Sequence, residues 1–208
     1  MGRKSLLLGE TNSGKTHFTF HFLCHILERK NCEPTDISVL DFAPPRIKRQ
    51  NSAIAGTLGE FFRESNNLSA SQANLLNSVH WLERDSSAPG IHTFPKILAP
   101  RFFARSAQDV LKACCVNFII TEKQLSYYLL HPTKVLIVND VGIYLHLGGL
   151  RLLTKVLALP QTSLLNAYFG TTLLEDQGSY ISRREGIMLS LLAKSLDTYL
   201  CADFLPNT

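Results

Sequence analysis

Residues Gly9 to Thr16 read Gly-Glu-Thr-Asn-Ser-Gly-Lys-Thr. This is the spacing G-x-x-x-x-G-K-[ST], and the chemistry it serves is the cradling of a nucleotide's phosphates. Gly9 and Gly14 let successive backbone N–H groups turn inward on a β-phosphate, with Glu10, Thr11, Asn12 and Ser13 supplying main chain to the same turn. Lys15 is placed to reach the β/γ oxygens and the Thr16 hydroxyl to ligate Mg²⁺. A helix that starts here directs its positive end at the anion. The motif requires a strand before it and a helix after it. Ser5-Leu-Leu-Leu is apolar enough for a short buried strand, and His17 to Leu27 suits the helix.

Two acids are placed to work with this loop. Val135-Leu-Ile-Val-Asn139-Asp140 is an apolar run closing on a carboxylate, which at a strand's C-terminal end can hold Mg²⁺ directly or through water. Ile37-Ser-Val-Leu-Asp41-Phe closes in the same way. Asp41 either orders Mg²⁺ or an attacking water, or caps the turn or helix that follows a buried strand. In an open parallel sheet ligands sit at the carboxyl ends, so the positions after Leu8, Leu40 and Val138 are expected to converge on one crevice.

Three further groups carry charge or ligating atoms. His17, His21 and His25 recur every four residues along one helix face, which suits metal or proton chemistry but more often means packing and hydrogen bonding. Arg183-Arg184 opens a late helix, where a basic pair opposes the helix dipole and so favours an anionic partner. Arg46, Lys48 and Arg49 follow the Asp41 strand and read as a basic loop open to solvent, or else as a switch-like loop near a γ-phosphate or a docking patch.

The elements that must position these residues alternate. After the first helix and the Asp41 strand, Pro44-Pro45 breaks regular structure and a helical pattern runs over 53–63. A second helix is expected over Ser71 to Leu82, a turn-rich loop over Asp85 to Gly90, and a strand over Ile91 to Ala99. Ala107 to Val116 reads as a helix, Phe118-Ile-Ile as a strand or helix start, and Thr121-Glu-Lys-Gln as the capping box of another helix ending at His131-Pro132. The Val135 strand, a helix from about Gly149 to Leu159 and a strand over Ser163 to Phe169 follow. Ser182, with Glu185 reaching back, is expected to cap a last helix running to about Leu200. Apolar strands alternating with helices predict an α/β fold with a parallel sheet covered on both faces.

Composition sets the outer bounds. The 208 residues, 45% hydrophobic and 18% charged, suit one domain over 1–208, with 44–132 as an inserted or specificity region. No apolar run reaches the ~20 residues of a membrane span, and the chain before the first strand is too short for a signal peptide. Five cysteines without paired spacing suggest neither a disulfide framework nor zinc, which fits the reducing cytoplasm. A net charge of +4 suits an anionic ligand without the basic stripe of a nucleic-acid binder.

On Gly9 to Thr16, Val39-Leu-Asp41-Phe, the Val135 to Asp140 strand and Leu164-Leu-Asn166, the chain resembles the SIMIBI class of P-loop proteins. That class includes the MinD/ParA partition ATPases, dethiobiotin synthetase and the molybdopterin-guanine dinucleotide adaptor. The resemblance implies a three-layer P-loop NTPase fold, Mg²⁺-dependent binding of ATP or GTP, a protein partner, and in some members a homodimer. Asn166 fits the place of an Asn that bonds the base in that class, and equally that of a strand-end or turn residue. Glu10 stands where MinD/ParA proteins carry a signature Lys, and Ala43 where they carry a hydrolytic acid. No N-K-x-D guanine signature follows Thr133-Lys134 or Thr154-Lys155, which favours ATP.

Three functions follow from these residues. The first is a nucleotide-driven switch or adaptor acting on a protein partner. The second is a small-molecule or polynucleotide kinase, since Asn12-Ser-Gly-Lys-Thr is similar to the loop of RNA 5′-hydroxyl kinases. The third is nucleotide binding without turnover.

Overall fold

The computed structural model describes residues 2–28, 32–49, 52–54, 56–64, 68–82 and 96–201. The expected loop Asp85–Gly90 and most of the expected strand Ile91–Ala99 lie outside the described residues, and 96–99 is irregular.

Six strands form one parallel sheet: β1 (Lys4–Gly9), β2 (Ile37–Asp41), β5 (His80–Leu82), β6 (Val135–Asn139), β7 (Thr162–Tyr168) and β8 (Thr198–Cys201). Their order is β5-β2-β6-β7-β1-β8. A separate antiparallel hairpin pairs β3 (Ile47–Arg49) with β4 (Ser52–Ile54). The helices are α1 (Lys15–Glu28), α2 (Leu58–Glu64), α3 (Ala70–Asn77), α4 (Pro100–Phe103), α5 (Ala107–Leu130), α6 (Gly142–Leu145), α7 (Leu150–Leu157) and α8 (Ile181–Ala193).

Strand alternation divides the core between the two faces of the sheet. Ile37, Val39, Val135 and Ile137 pack with Phe20, Leu23 and Leu27 of α1, Leu58 of α2 and Leu76 of α3. The interleaved Leu6, Leu8, Leu40, Leu136 and Val138 pack on the other side with α5, α6, α7 and α8. The predicted α/β class with a parallel sheet covered on both faces is what this packing forms. No helix among the described residues is long and apolar enough to cross a membrane.

Several expected elements differ. The pattern read as helix over Ser71–Leu82 divides into α3 and the short edge strand β5, and the 53–63 pattern begins as β4 before α2. The two helices expected between Ala107 and Leu130, and the strand or helix start at Phe118-Ile-Ile between them, are one 24-residue helix. Thr121 caps nothing: its hydroxyl donates to the Asn117 carbonyl one turn back at 2.9 Å. The last helix ends at Ala193, and 198–201 continues as the edge strand β8, paired with β1.

Candidate functional site

The carboxyl ends of the central strands form one platform. Gly9 pairs with Tyr168 across β1 and β7, and Asp41 with Asn139 across β2 and β6. Because β7 lies between β1 and β6, Asn166 sits between the loop after β1 and Asp140 after β6.

The loop Gly9–Thr16 leaves β1 and enters α1 at Lys15. Two of its residues are left-handed, Asn12 at φ 60° and Gly14 at φ 84°. Asn tolerates that region and Gly favours it, so the turn has the residue types it demands. A Cβ at Gly14 would meet nothing within 4 Å, so its requirement is conformational. The Lys15 ammonium lies against the Glu10 carbonyl and 3.2 Å from Ser13 Oγ, folded over the loop. Thr11, Asn12, Gly14, Lys15 and Thr16 line a cavity of about 300 Å³. Its opposite walls carry Arg101, Asp140 and Glu185, with Phe61, Phe102 and Leu173 adding apolar surface.

Beneath the loop runs a buried polar chain. Asn166 Nδ2 donates to Thr19 Oγ1 at 2.8 Å and to Asn139 Oδ1 at 2.7 Å, and Asn166 Oδ1 accepts from the Asp140 amide at 2.8 Å. Asn139 Nδ2 in turn donates to Asp41 Oδ1 at 2.7 Å. The hydrogen bonds of Asn166 thus run within the fold, which is the strand-end alternative of the sequence reading. Asp41 also accepts from Ala43 N at 3.2 Å and from Leu58 N at 2.5 Å, the first residue of α2. It performs the turn-and-helix capping alternative, buried under the cavity.

Asp140 faces the cavity from a left-handed backbone at φ 56°. Burial, and then the negative charge of Glu185, push its carboxyl up to about 7 against the pull of Lys15 and Arg101. The Thr16 hydroxyl and the Asp140 carboxylate are hard oxygen donors on one cavity, and that donor set suits Mg²⁺.

Three residues of the site gave no functional signal in the sequence. The Arg101 guanidinium, from α4 in the central segment, pairs with Glu185, donates to Ser182 Oγ at 3.2 Å and lies 5.7 Å from the Tyr168 ring centre. Glu185 is therefore a buried ion-pair partner, and the Ser182–Glu185 capping box does not form. The amide of Ser182 donates instead to Asp176 Oδ2 at 3.0 Å. Burial alone would raise the Glu185 carboxyl, but His146 and the Arg101 guanidinium outweigh it and hold it low. His146 is fully buried, with Nε2 3.6 Å from Glu185 Oε2 and Nδ1 3.6 Å from Cys114 Sγ.

Of the remaining charged groups of the sequence reading, His17 lines the cavity beside the loop, and the others lie elsewhere. Arg184 donates to the Leu147 and Gly148 carbonyls, away from the loop. Arg46 pairs with Glu64 and sits over Phe61, while the side chains of Lys48 and Arg49 are outside the described residues. His17, His21 and His25 form the exposed face of α1 opposite its apolar stripe, with Nε2 atoms of the first two 3.0 Å apart. Among the described residues no group of three or more His, Cys, Asp or Glu is arranged to hold a metal.

Comparison of the chain with protein-family models, curated proteins and solved structures returns no match, so the chemistry of the site rests on its own residues.

Proposed function

We propose that this chain is a P-loop nucleotide-binding protein that takes a nucleoside triphosphate with Mg²⁺ at Gly9–Thr16 and acts as a switch or adaptor on a protein partner. The observation that carries the reading is a left-handed turn at Asn12 and Gly14, at a strand's carboxyl end, opening with Lys15 and Thr16 onto the cavity that Asp140 faces. In this reading backbone amides of the loop surround the β-phosphate and Lys15 neutralises the β/γ oxygens. Thr16 and Asp140 would hold Mg²⁺, whose chemistry is to offset the charge of the phosphates. The loops after Asp41 and Asp140 respond to loss of the terminal phosphate, and the partner reads that response. ATP is the favoured nucleotide.

A second reading, binding without turnover, is favoured by one feature. Asp41, the acid that could order an attacking water, spends its hydrogen bonds on Ala43, Leu58 and Asn139. Titration calorimetry with Mg·ATP, followed by phosphate release with and without hydroxyl acceptors, separates the functions. Slow release unaffected by acceptors is the outcome for a switch, acceptor-dependent transfer that for a kinase, and binding without release that for the second reading. Lys15→Ala abolishes binding in each case. A Lys15→Ala protein that binds nucleotide as the wild type does refutes the site.

A further inference from the structure

We propose that Arg101 is the residue by which the site distinguishes a triphosphate from a diphosphate. On binding it leaves Glu185 for the terminal phosphate, and His146 becomes the partner Glu185 keeps. The inference rests on the nucleotide reading of Gly9–Thr16.

Among the described residues, the lysine and arginine side chains lining the cavity are Lys15 and Arg101. Lys15 belongs to the loop that encloses the β-phosphate, so the phosphoryl group projecting beyond the loop meets its second cation in Arg101. A guanidinium presents paired donors that match phosphate oxygens, and hydrogen bonds of that charged kind are among the strongest a site can make.

The present partner of Arg101 is arranged to stay behind. Glu185 is pressed against the backbone where α6 begins: a Cβ on Gly142 would lie 1.9 Å from Glu185 Oε1. The carboxylate is enclosed there, and Arg101, nearly as buried on the same cavity, is the longer and more adaptable side chain of the pair. A buried carboxylate abandoned by its cation is costly, and here a second donor stands ready. His146 Nε2 is buried, has no hydrogen-bond partner and lies 3.6 Å from Glu185 Oε2. A small approach of the imidazole N–H satisfies both groups, and the neutral ring suffices for it. Arg101 therefore has two stable partners, the fixed acid and the arriving phosphate, and a diphosphate offers only the first.

The test is the ratio of Mg·ATP to Mg·ADP affinity by titration calorimetry on the full chain. Glu185→Gln weakens the hold on Arg101 and raises the preference for ATP a few-fold. The double variant Arg101→Met/Glu185→Met replaces the buried pair by apolar side chains, an exchange folds commonly tolerate, and lowers the preference at least about tenfold. Circular dichroism reports whether each variant folds, and if the double variant does not, the Glu185→Gln ratio decides. A merely structural pair moves both affinities together and leaves the ratio unchanged, which overturns the proposal. A wild type that binds both nucleotides equally through Lys15 overturns it too while the loop assignment stands. A wild type that binds neither overturns both.

Discussion

Replacing Asn166 by Leu tests whether this residue holds the fold or reads a base. The substitution keeps the branched heavy-atom skeleton of a 2%-exposed side chain, with bulkier methyl ends, and removes all its polar atoms. Two groups then lose the partner they have: Asn139 Oδ1, which accepts from Asn166 Nδ2, and the Asp140 amide, which donates to Asn166 Oδ1. Thr19 keeps its bond to the Lys15 carbonyl and loses only an acceptor contact. A buried polar group left without a partner costs about 1–3 kcal/mol, so two cost about 2–6 kcal/mol. That is a large share of the roughly 5–15 kcal/mol by which domains are stable. Urea unfolding followed by circular dichroism measures it as a lower midpoint at unchanged slope. A loss below about 1 kcal/mol, combined with altered discrimination between ATP and GTP, refutes the structural role and restores the base-binding one.

Two further predictions concern titrating groups. The Asp140 carboxyl is raised from 3.8 to about 7, by burial first and by Glu185 second, so its charged form is the uncomfortable one. Its contribution to stability is full at acid pH and is lost as pH rises through about 7. One pKa unit corresponds to about 1.4 kcal/mol, so with allowance for cavity water Asp140→Asn stabilises the nucleotide-free protein by about 1–3 kcal/mol at pH 8 and much less at pH 4. The same variant loses Mg²⁺-dependent nucleotide affinity. Thermal unfolding at the two pH values checks this, and equal shifts at both refute it. Burial pushes the Cys114 thiol up to about 12, while its neighbour Cys115 is exposed. Iodoacetamide at pH 8 labels Cys115 in the native protein and reaches Cys114 only after unfolding, as peptide mass spectrometry will show. Equal native labelling of the two refutes the packing of α5.

The parts of the fold legible in the sequence are those where one period dominates. β2 and β6 are compact, mainly apolar runs closing on an acid, at the strand end in β2 and one residue beyond it in β6, and both lie at the predicted places. α5 was obscured because its buried stripe contains polar residues that bond outside the helix. Asn117 exchanges bonds with the backbone of Leu98, and Gln124 donates to the Leu82 carbonyl. An inward Asn and Gln interrupt the apolar period and make one helix read as two. β5 and β8, of three and four residues, are too short to show a period at all. In the site, the loop and Asp140 were legible from local spacing, but the Arg101–Glu185 pair joins residues 84 positions apart, which no spacing rule reaches. Asn139 carried a usable signal, a polar residue inside an apolar strand beside the acid.

Glu10 has work of its own in this fold. Where the resembling class carries a Lys, this carboxylate accepts from the Thr171 and Thr172 amides and the Thr171 hydroxyl. Burial would raise its carboxyl, but these donors outweigh it and hold it down to about 2, so the contacts persist through neutral pH and weaken only as pH falls toward that value. At Gly170 a Cβ would lie 2.1 Å from the Glu10 carboxyl carbon, so a side chain there would displace that carboxylate from its present place. The segment after β7 is thus fastened to the Gly9–Thr16 loop at Thr171, and at its far end to Arg101 through Ser182 and Glu185. Both walls of the cavity hold the same stretch of chain, and that stretch leads into α8, whose outer face exposes Ile187 and Leu191.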